Sequence, residues 1–493
     1  MVSLGIDVGT QGTKALLIDE EKRTVLGRAS SSYELIAGLP EGHAEQHPQT
    51  WLDALSRVVH ELVERTGVDA RSISCVGVSG QQHGFVALDS NDEVIRPAKL
   101  WCDTATSKEA DELSRRYGRR VPTGFTASKI LWMSRNEPEN FSRLRSVLLP
   151  HDYVNFWLTG NKSMECGDAS GTGFFDPRAR RFSIEEMRAI DRALPDMIPP
   201  LLEAGESAGL LSARAAKILH LEEGIPVASG GGDNMMSAIG SGAFETGVVV
   251  ISLGTSGTVF TFSDQPVVDP EGLIAPFCDS TGGWLPLLCV MNLTGVTEEV
   301  RRCFGMELEE ITALATRVSP GCDGLSFLPY LQGERVPDLP LASGTLSGIR
   351  PGSLSAGHLF RAALEGTSFN LELGVERMKR LGIPLDSVRL VGGAARNPLW
   401  RRILADVLGV TVQKMLETES AALGAALQAA WTRSLLERPT NDPAQRRLRL
   451  SEIARPFLQT EGDPTPPNPE TSPSLAGKRR QFRELLKTLH GVH

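Results

Sequence analysis

Short apolar runs recur along the chain, and several break into glycines before small, helix-favouring residues resume. Ile225-Pro-Val-Ala-Ser-Gly-Gly-Gly-Asp-Asn-Met-Met-Ser-Ala-Ile-Gly240 is the fullest instance: it predicts a strand, a three-glycine loop and a helix that opens on Asp233. Such a residue is an ordinary helix N-cap, and the same position puts a carboxylate at a strand end facing a cleft. Val388-Arg-Leu-Val leads in the same way into Gly392-Gly393-Ala394, past Asn397, and into a helix from Leu399. Ser74-Cys-Val-Gly-Val-Ser79 reads as a strand ending in the polar elbow Gly80-Gln-Gln-His-Gly84, where loops carry function. Strands alternating with helices predict an α/β fold.

One pattern occurs twice. Ile6-Asp-Val-Gly9-Thr10-Gln11-Gly12-Thr13 returns as Ile251-Ser-Leu-Gly254-Thr255-Ser256-Gly257-Thr258, 245 residues later. Each copy reads as two β-rich runs joined by Gly-Thr-x-Gly-Thr, and successive backbone N–H groups in such a turn make a nest suited to phosphate. A single copy is usually just a hairpin; two at equivalent places imply two homologous halves. The copies differ where Asp7 stands in the first and Ser252 in the second. A carboxylate between Ile6 and Val8 in a central strand calls for a cation or a phosphate-bound metal, and at a strand edge only for water.

Composition narrows the partners. A chain of 493 residues exceeds what one core supports, and the repeat places a boundary near residue 245, giving units of 1–244 and 245–437 and an extension of 438–493. Lys+Arg 51 against Asp+Glu 60 leaves a net charge of −9, which excludes nucleic acid or an anionic membrane as the main partner and favours a small solute. Seven cysteines without a C-x-x-C pair suit a reducing compartment, and the chain enters a strand at Val2 with no leader or membrane-length apolar run, so the cytoplasm is the expected location. The stretches at 233–243 and 419–429 carry small residues on nearly every turn, which predicts two helices crossing closely at the interface between halves. Residues 460–474 form a Pro-rich connector, and 478–489 an amphipathic helix whose stripe of Phe482, Leu485, Leu486 and Leu489 is expected to pack back on the first half.

Together, the two hairpins, the Gly-Gly-Gly-Asp-Asn segment, the Gly-Gly-Ala-x-x-Asn turn and the Ala422-Leu-Gly-Ala-Ala426 helix resemble the FGGY carbohydrate kinases of the actin, hexokinase and heat-shock ATPase superfamily. The resemblance runs from Val2 to about Ala430. Ser79–Gly84, Arg96–Asp103, Gly124–Lys129 and Phe327–Arg335 are most similar to members that act on D-xylulose. It implies two ribonuclease-H-like domains around an interdomain cleft, with sugar bound by the first and ATP mainly by the second. It also implies ATP-dependent phosphorylation of D-xylulose to D-xylulose 5-phosphate, with Asp233 as general base and a sugar site of Gln82, His83, Trp101, Asp103, Asp233 and Asn234. ATP would be held by Thr10, Gln11, Gly12 and Thr13, by Gly254, Thr255, Ser256 and Gly257, and around its nucleoside by Gly393, Ala394 and Asn397. Asp7 would hold the Mg²⁺ shell, and a homodimer is expected.

The sequence departs from that pattern at Cys102, where many such relatives carry Asn. Gln82-His83 stands where glycerol-specific members carry Arg-Glu, which disfavours glycerol. Gluconate calls for a cation that the sequence does not identify, while ribulose and fuculose stay open. A non-enzymatic actin-like nucleotide switch would share the hairpins but has no use for the Gln82-His83 elbow or for Trp101 and Asp103.

Overall fold

The computed structural model describes residues 1–492; His493, the last residue of the expected extension, lies outside them. Among the described residues, the first sheet is built from β1 (Val2–Val8), β2 (Gly12–Asp19), β3 (Thr24–Ser32), β4 (Ile73–Gly80), β5 (Ser207–Leu210), β6 (Pro226–Ala228) and β7 (Gly231–Gly232). Their order is β5-β6-β4-β1-β2-β3, with β7 beside the end of β4. β1 pairs antiparallel with β2 and parallel with β4, so it is central, and every residue in it except Asp7 is buried. Side chains alternate across the pleat. Leu4, Ile6, Ala15 and Leu17 meet Trp51, Leu55, Val58 and Leu62 of α1 (Pro48–Thr66) and Val154 and Leu158 of α2 (Pro150–Thr159), while Leu16 and Ile18 point to the opposite face. β7 passes directly into α3 (Asp233–Ser241).

The second sheet repeats this plan. β8 (Val248–Leu253), β9 (Gly257–Thr261), β10 (Ala275–Cys278), β11 (Trp284–Val290), β12 (Ser387–Val391) and β13 (Val412–Lys414) lie in the order β10-β11-β9-β8-β12-β13. β8 forms a hairpin with β9 and runs parallel to β12, as β1 does with β2 and β4. The repeat in sequence is therefore a repeat of topology, and the chain has the two-part α/β architecture expected of it. α4 (Thr294–Phe304), α5 (Ala356–Arg380) and α6 (Pro398–Leu408) bury the face that carries Val249, Ile251 and Leu253.

Between the sheets lies α7 (Ser420–Glu437), which the sequence assigns to the second half but which rests on the first sheet, against β1 and β4. Glycine makes this possible. Gly5 and Gly77 are cross-strand partners, so a flat patch opens in the sheet; a Cβ at Gly5 would fall 2.0 Å from Ala422 O, and one at Gly77 2.0 Å from Ala425 O. The crossing of α7 with α3 is as close, as expected from their small residues: a Cβ at Gly240 would lie 1.9 Å from Ser420 O, and one at Gly424 1.8 Å from Met236 O. Met235, Met236 and Ile239 of α3, Val250 and Phe260 of the second sheet, and Leu423, Leu427 and Trp431 of α7 form one cluster joining the halves.

The tail departs from expectation. α8 (Ser472–His490) packs on the second half, with Leu475, Phe482 and Leu486 in its core and the Phe482 ring 5.6 Å from that of Phe369. Charge explains the choice of surface, because Arg479 and Arg483 pair with Glu372 of α5, and Arg483 also with Glu376. Leu489 stays exposed. The Pro-rich connector runs along the edge strand, with Thr460 and Thr465 bridging Met415 and Val412. No helix among the described residues is long and apolar enough to cross a membrane.

Gly424→Ala tests the contact between α3 and α7. The added methyl meets backbone on a packed helix, and overpacking of this kind costs about 3 kcal/mol or more. Urea unfolding should show a clear drop in midpoint; an unchanged midpoint would mean that the two helices separate freely.

Candidate active site

Three strand ends converge at one edge of the first sheet. Ser79 is the partner of Asp7 on one side and of Gly231 on the other, so Asp7, Ser79 and the start of α3 lie in a row. Two inter-strand spacings set the backbones of Asp7 and Gly231 about 10 Å apart on a common floor, with Asp233 two residues beyond Gly231. Ser79 Oγ donates to Asp7 Oδ1 at 2.7 Å. Asp233 is half-buried, and its carboxylate folds back on its own helix end, accepting from the Asn234 N–H at 2.8 Å and from Asn234 Nδ2 at 3.0 Å. Burial first, then the negative charges of Asp7 and Asp168, push the Asp233 carboxyl up to about 7. Asp7 is likewise raised by burial, with Ser79 and Lys14 acting against the rise.

The elbow after β4 faces this floor. Gln82 Oε1 accepts from Asn234 Nδ2 at 2.9 Å, and Asn234 Oδ1 accepts from Thr258 Oγ1 of the second hairpin at 3.0 Å. A continuous chain of hydrogen bonds thus links the elbow, the carboxylate at Asp233 and the opposite half. Gln82 Nε2 is buried without a partner. His83 has φ +64, a left-handed conformation that non-glycine residues seldom adopt. Its ring sits 4.7 Å from that of Phe125 and 5.7 Å from that of Phe277 of β10, so both halves enclose it. Burial, with Lys129 and Arg335 adding to it, keeps the imidazole neutral, well below its ordinary pKa. The Nδ1 atom is buried against Gly171 with no hydrogen-bond partner, which leaves the other ring nitrogen for a ligand.

The two hairpin turns are held differently. In the first, Gly9 N donates to Gly12 O at 3.0 Å, and side chains grip the turn from outside. Tyr33 donates to Gly9 O at 2.8 Å, Gln46 Nε2 to Thr10 O at 2.7 Å, Thr10 Oγ1 to Gln81 Oε1 at 2.9 Å, and the Trp101 indole to Thr10 Oγ1 at 2.9 Å. Trp101 and the elbow are thereby tied to the turn. Gln11 is exposed at the tip. In the second hairpin, Thr255 is exposed and Gly254 and Ser256 half-buried, and the chain entering α4 supports them, with Thr294 N donating to Gly254 O at 3.0 Å. Gly393 is exposed with nothing near a would-be Cβ, and Gly392 beside it packs on Leu253, so this turn backs the second hairpin.

Three expected ligands have other tasks. Asp103 is fully buried, accepting from Lys99 Nζ at 2.9 Å, the Ala44 N–H at 3.0 Å and the Ala105 N–H at 3.1 Å, so its carboxylate does not face the cleft. Lys99, also fully buried, sits between His43, Glu45 and Asp103 and 3.9 Å from the Trp132 ring centroid, in the position a metal ion would take in that cluster. Thr13 is buried, with its hydroxyl 3.2 Å from that of Tyr33. Asn397 caps α6, its Oδ1 accepting from Leu399 N and Trp400 N while Nδ2 donates to Thr312. Sequence reasoning overlooked Ser79, Thr258, Lys14 and Lys129 as site residues, although all four lie inside or directly beside segments it singled out. Lys14, the cross-strand partner of Asp7, pairs with Glu419 at the start of α7 at 2.5 Å. A half-buried carboxylate at Asp7 that bears on the charge of Asp233, beside a lysine already paired with Glu419, has the donor chemistry for a divalent cation.

The chain matches the model of the FGGY family of carbohydrate kinases, with its N-terminal domain over residues 2–240 and its C-terminal domain over 249–433. It is 38% identical over 444 residues to the xylulose kinase of Haemophilus influenzae, spanning 87% of this chain and 90% of that protein. It is 34% identical over 496 residues to the xylulose kinase of Streptomyces rubiginosus, spanning 98% and 97%. A crystal structure of a xylulose kinase from Brucella ovis superposes with a TM-score of 0.91 at 30% identity, covering both chains completely.

The environment of Asp233 gives a direct prediction for the protein without nucleotide or metal. Its carboxyl resonance should titrate near pH 7, and Asp7→Asn should move that midpoint down by removing a like charge. The folded value lies above the ordinary 3.8, so the contribution of this group to stability is fully present below about pH 3.8, falls as pH rises through about 7, and is gone above it. A ¹³C-carboxyl NMR titration reads both; a midpoint near 4 would mean that water screens the pair.

Proposed function

The chain belongs to the FGGY family of carbohydrate kinases, and on that premise we propose that it transfers the γ-phosphoryl group of ATP to the terminal hydroxyl of D-xylulose, giving D-xylulose 5-phosphate. The observation that carries this reading is the hydrogen-bonded chain Thr258–Asn234–Gln82, with Asp233 on the same amide, ending on a buried Gln82 Nε2 that has no partner. An unpaired buried donor costs about 1–3 kcal/mol, and a sugar hydroxyl is the right group to relieve it. The choice of D-xylulose follows the relatives acting on it at 34–38% identity. Free thiols at all seven cysteines agree with work in the cytoplasm.

Asp233 takes the proton of the attacking hydroxyl. A carboxyl poised near 7 is a far better base than an ordinary aspartate, and its bonds to Asn234 keep it aimed into the cleft. Neutral His83 and Gln82 orient the sugar, and the Trp101 face supplies apolar contact. The turn at Gly254–Ser256 and the Gly393–Ala394 turn receive the nucleotide, while Phe277 against His83 and Phe125 excludes water that would compete with the sugar. Asp7 would hold the Mg²⁺ shell through water, and the ion would neutralise charge on the phosphates. One observation favours a second reading: Arg335, exposed in the second half, acts electrostatically on His83, and it is the cation that a sugar acid such as gluconate requires.

Turnover with Mg·ATP, read as ADP release over D-xylulose, D-ribulose, L-fuculose, gluconate, glycerol and no sugar, separates these readings. D-xylulose should give the highest kcat/KM, and a preference for gluconate would transfer the assignment to the sugar acid. Asp233→Asn should keep sugar binding and lose about 10³-fold in kcat, because the amide accepts no proton; near-wild-type turnover would remove Asp233 from the chemistry.

Asp7→Ser tests the metal role. Ser252 shows that this hairpin is built as well with a neutral residue, so the variant should fold with an ordinary melting point. Turnover should drop about 10²-fold or more with a shifted Mg²⁺ dependence, while sugar affinity without ATP stays unchanged. A destabilised variant with an unaltered Mg²⁺ profile would make Asp7 a strand-pairing residue.

A further inference from the structure

Behind β7 lies a set of ionisable groups that touch no substrate in the proposed transfer, although the charge of Asp168 contributes to the raised pKa of Asp233. His151, Asp152, Glu165 and Asp168 are each at most 3% exposed. His151 Nδ1 is 2.8 Å from Asp168 Oδ2 and its Nε2 is 3.0 Å from Asp152 Oδ1, so the ring is clamped between two carboxylates. Burial alone would depress the imidazolium, but Asp152 and Asp168 outweigh it and hold the His151 pKa well above its ordinary value. Asp152 has a separate task, accepting from the Leu149 N–H at 2.9 Å at the start of α2. Asp168 sits in a short turn whose backbone N–H groups at 167 and 168 are bound by Glu165, and Glu165 accepts from Ser280 Oγ of the second half at 3.1 Å.

These groups form the rear wall of the sugar elbow. A Cβ at Gly80 would meet His151 N at 2.8 Å, and one at Gly230 would meet its Cδ2 at 2.9 Å. Asp168 Oδ1 is buried without a hydrogen-bond partner, and the backbone carbonyl of Asp168 accepts from Gly171 N at 2.9 Å. Three residues on, Gly171 lies flat against the imidazole of His83, where a Cβ would fall 1.9 Å from Nδ1. A buried ion pair is a weak source of stability, since replacing it with apolar residues is often neutral or favourable. Here it coincides with a left-handed non-glycine residue, a conformation that costs about 1 kcal/mol or more and persists only where surroundings enforce it.

We propose that the His151–Asp168 pair is a positioning device for the sugar pocket: Asp168, held by His151, fixes the turn that presses Gly171 against the ring of left-handed His83, so that the imidazole meets the sugar at a fixed angle. This rests on the reading of the site as a sugar pocket. Asp168 touches no substrate and acts through His83. The pair should therefore affect sugar recognition and leave nucleotide recognition alone.

The test is a double-mutant cycle between Asp168→Asn and His83→Ala, run with the sugar that the wild-type protein turns over best. Asp168→Asn should raise the KM for sugar about tenfold and leave the KM for ATP within twofold. On the His83→Ala background it should add nothing, because the ring it positions is gone. In Asp168→Asn the imidazolium keeps Asp152 as its counter-charge; where that variant nevertheless fails to fold, His151→Gln/Asp168→Asn replaces the pair by neutral amides and should show the same sugar-specific rise. An unchanged sugar KM in the folded variants, an equal rise for ATP, or a full tenfold effect on the His83→Ala background would overturn the proposal. A wild-type protein that turns over no sugar would instead remove the reading of the site on which it rests.

Discussion

The contact between α7 and the first sheet is the constraint on which the rest of the molecule depends. Gly5 and Gly77 leave β1 and β4 bare at the same height, and Gly240 and Gly424 let α3 and α7 touch backbone to backbone. Interiors are close-packed and resist displacement, so this four-glycine contact sets where α3 begins relative to β1. Asp233 is the first residue of α3, and Asp7 lies two residues beyond Gly5 on the same face of β1. Their separation is therefore a packing distance. Gln428 of α7 strengthens the arrangement: its Oε1 accepts from Gly230 N at 2.9 Å and its Nε2 donates to Gly230 O at 3.0 Å, pinning the loop before Asp233 from the far side of the sheet.

Electrostatics at the floor follow from what the scaffold has already paired. Lys14 is matched by Glu419, Lys99 by Glu45 and Asp103, and Lys129 by carbonyl oxygens of His83 and Gly124. None of these nearby ammonium groups is left to neutralise both Asp7 and Asp233, so burial raises each carboxyl. On the proposed reading, the same environment makes Asp233 a stronger base and Asp7 receptive to a cation arriving with the nucleotide. Lys129 shows the cost of this design, because burial without a carboxylate partner brings its pKa to about 7.

Much of this was legible in the chain, and the boundary of legibility is physical. The paired hairpins, the helix opening on Asp233 and the close helix crossing were readable because each depends on residues a few positions apart. The contacts of Asp103, Thr13 and Asn397 were not legible, because a polar side chain does not reveal its partner: Lys99, Tyr33 and the open end of α6 meet them through contacts the linear pattern leaves unspecified. The amphipathic stripe on α8 indicated that the helix packs, but only Glu372 and Glu376 decided where. Asp168 was invisible for the same reason. It stands among small residues with no periodicity, and its meaning appears only once His151 and His83 lie beside it.

The two hairpins began as one structure and have been put to different uses. In the second half the turn is supported chiefly by backbone from the entry of α4, an arrangement indifferent to what the other half holds. In the first half the turn is gripped by Tyr33, Gln46, Gln81 and Trp101, and Gln81 and Trp101 belong to the segments that carry the sugar site. A sugar that presses on the Trp101 face or shifts the elbow therefore acts on Thr10 through one hydrogen bond, whereas nucleotide at Thr255 reaches the elbow only through Thr258 and Asn234. Duplication supplied two equivalent phosphate-type turns, and divergence wired one of them to the acceptor. That asymmetry matches the sequence, in which Asp7 and Lys14 occur in the first copy alone, with Ser252 and Val259 at their places in the second, as the proposed placing of metal and acceptor on the first half requires.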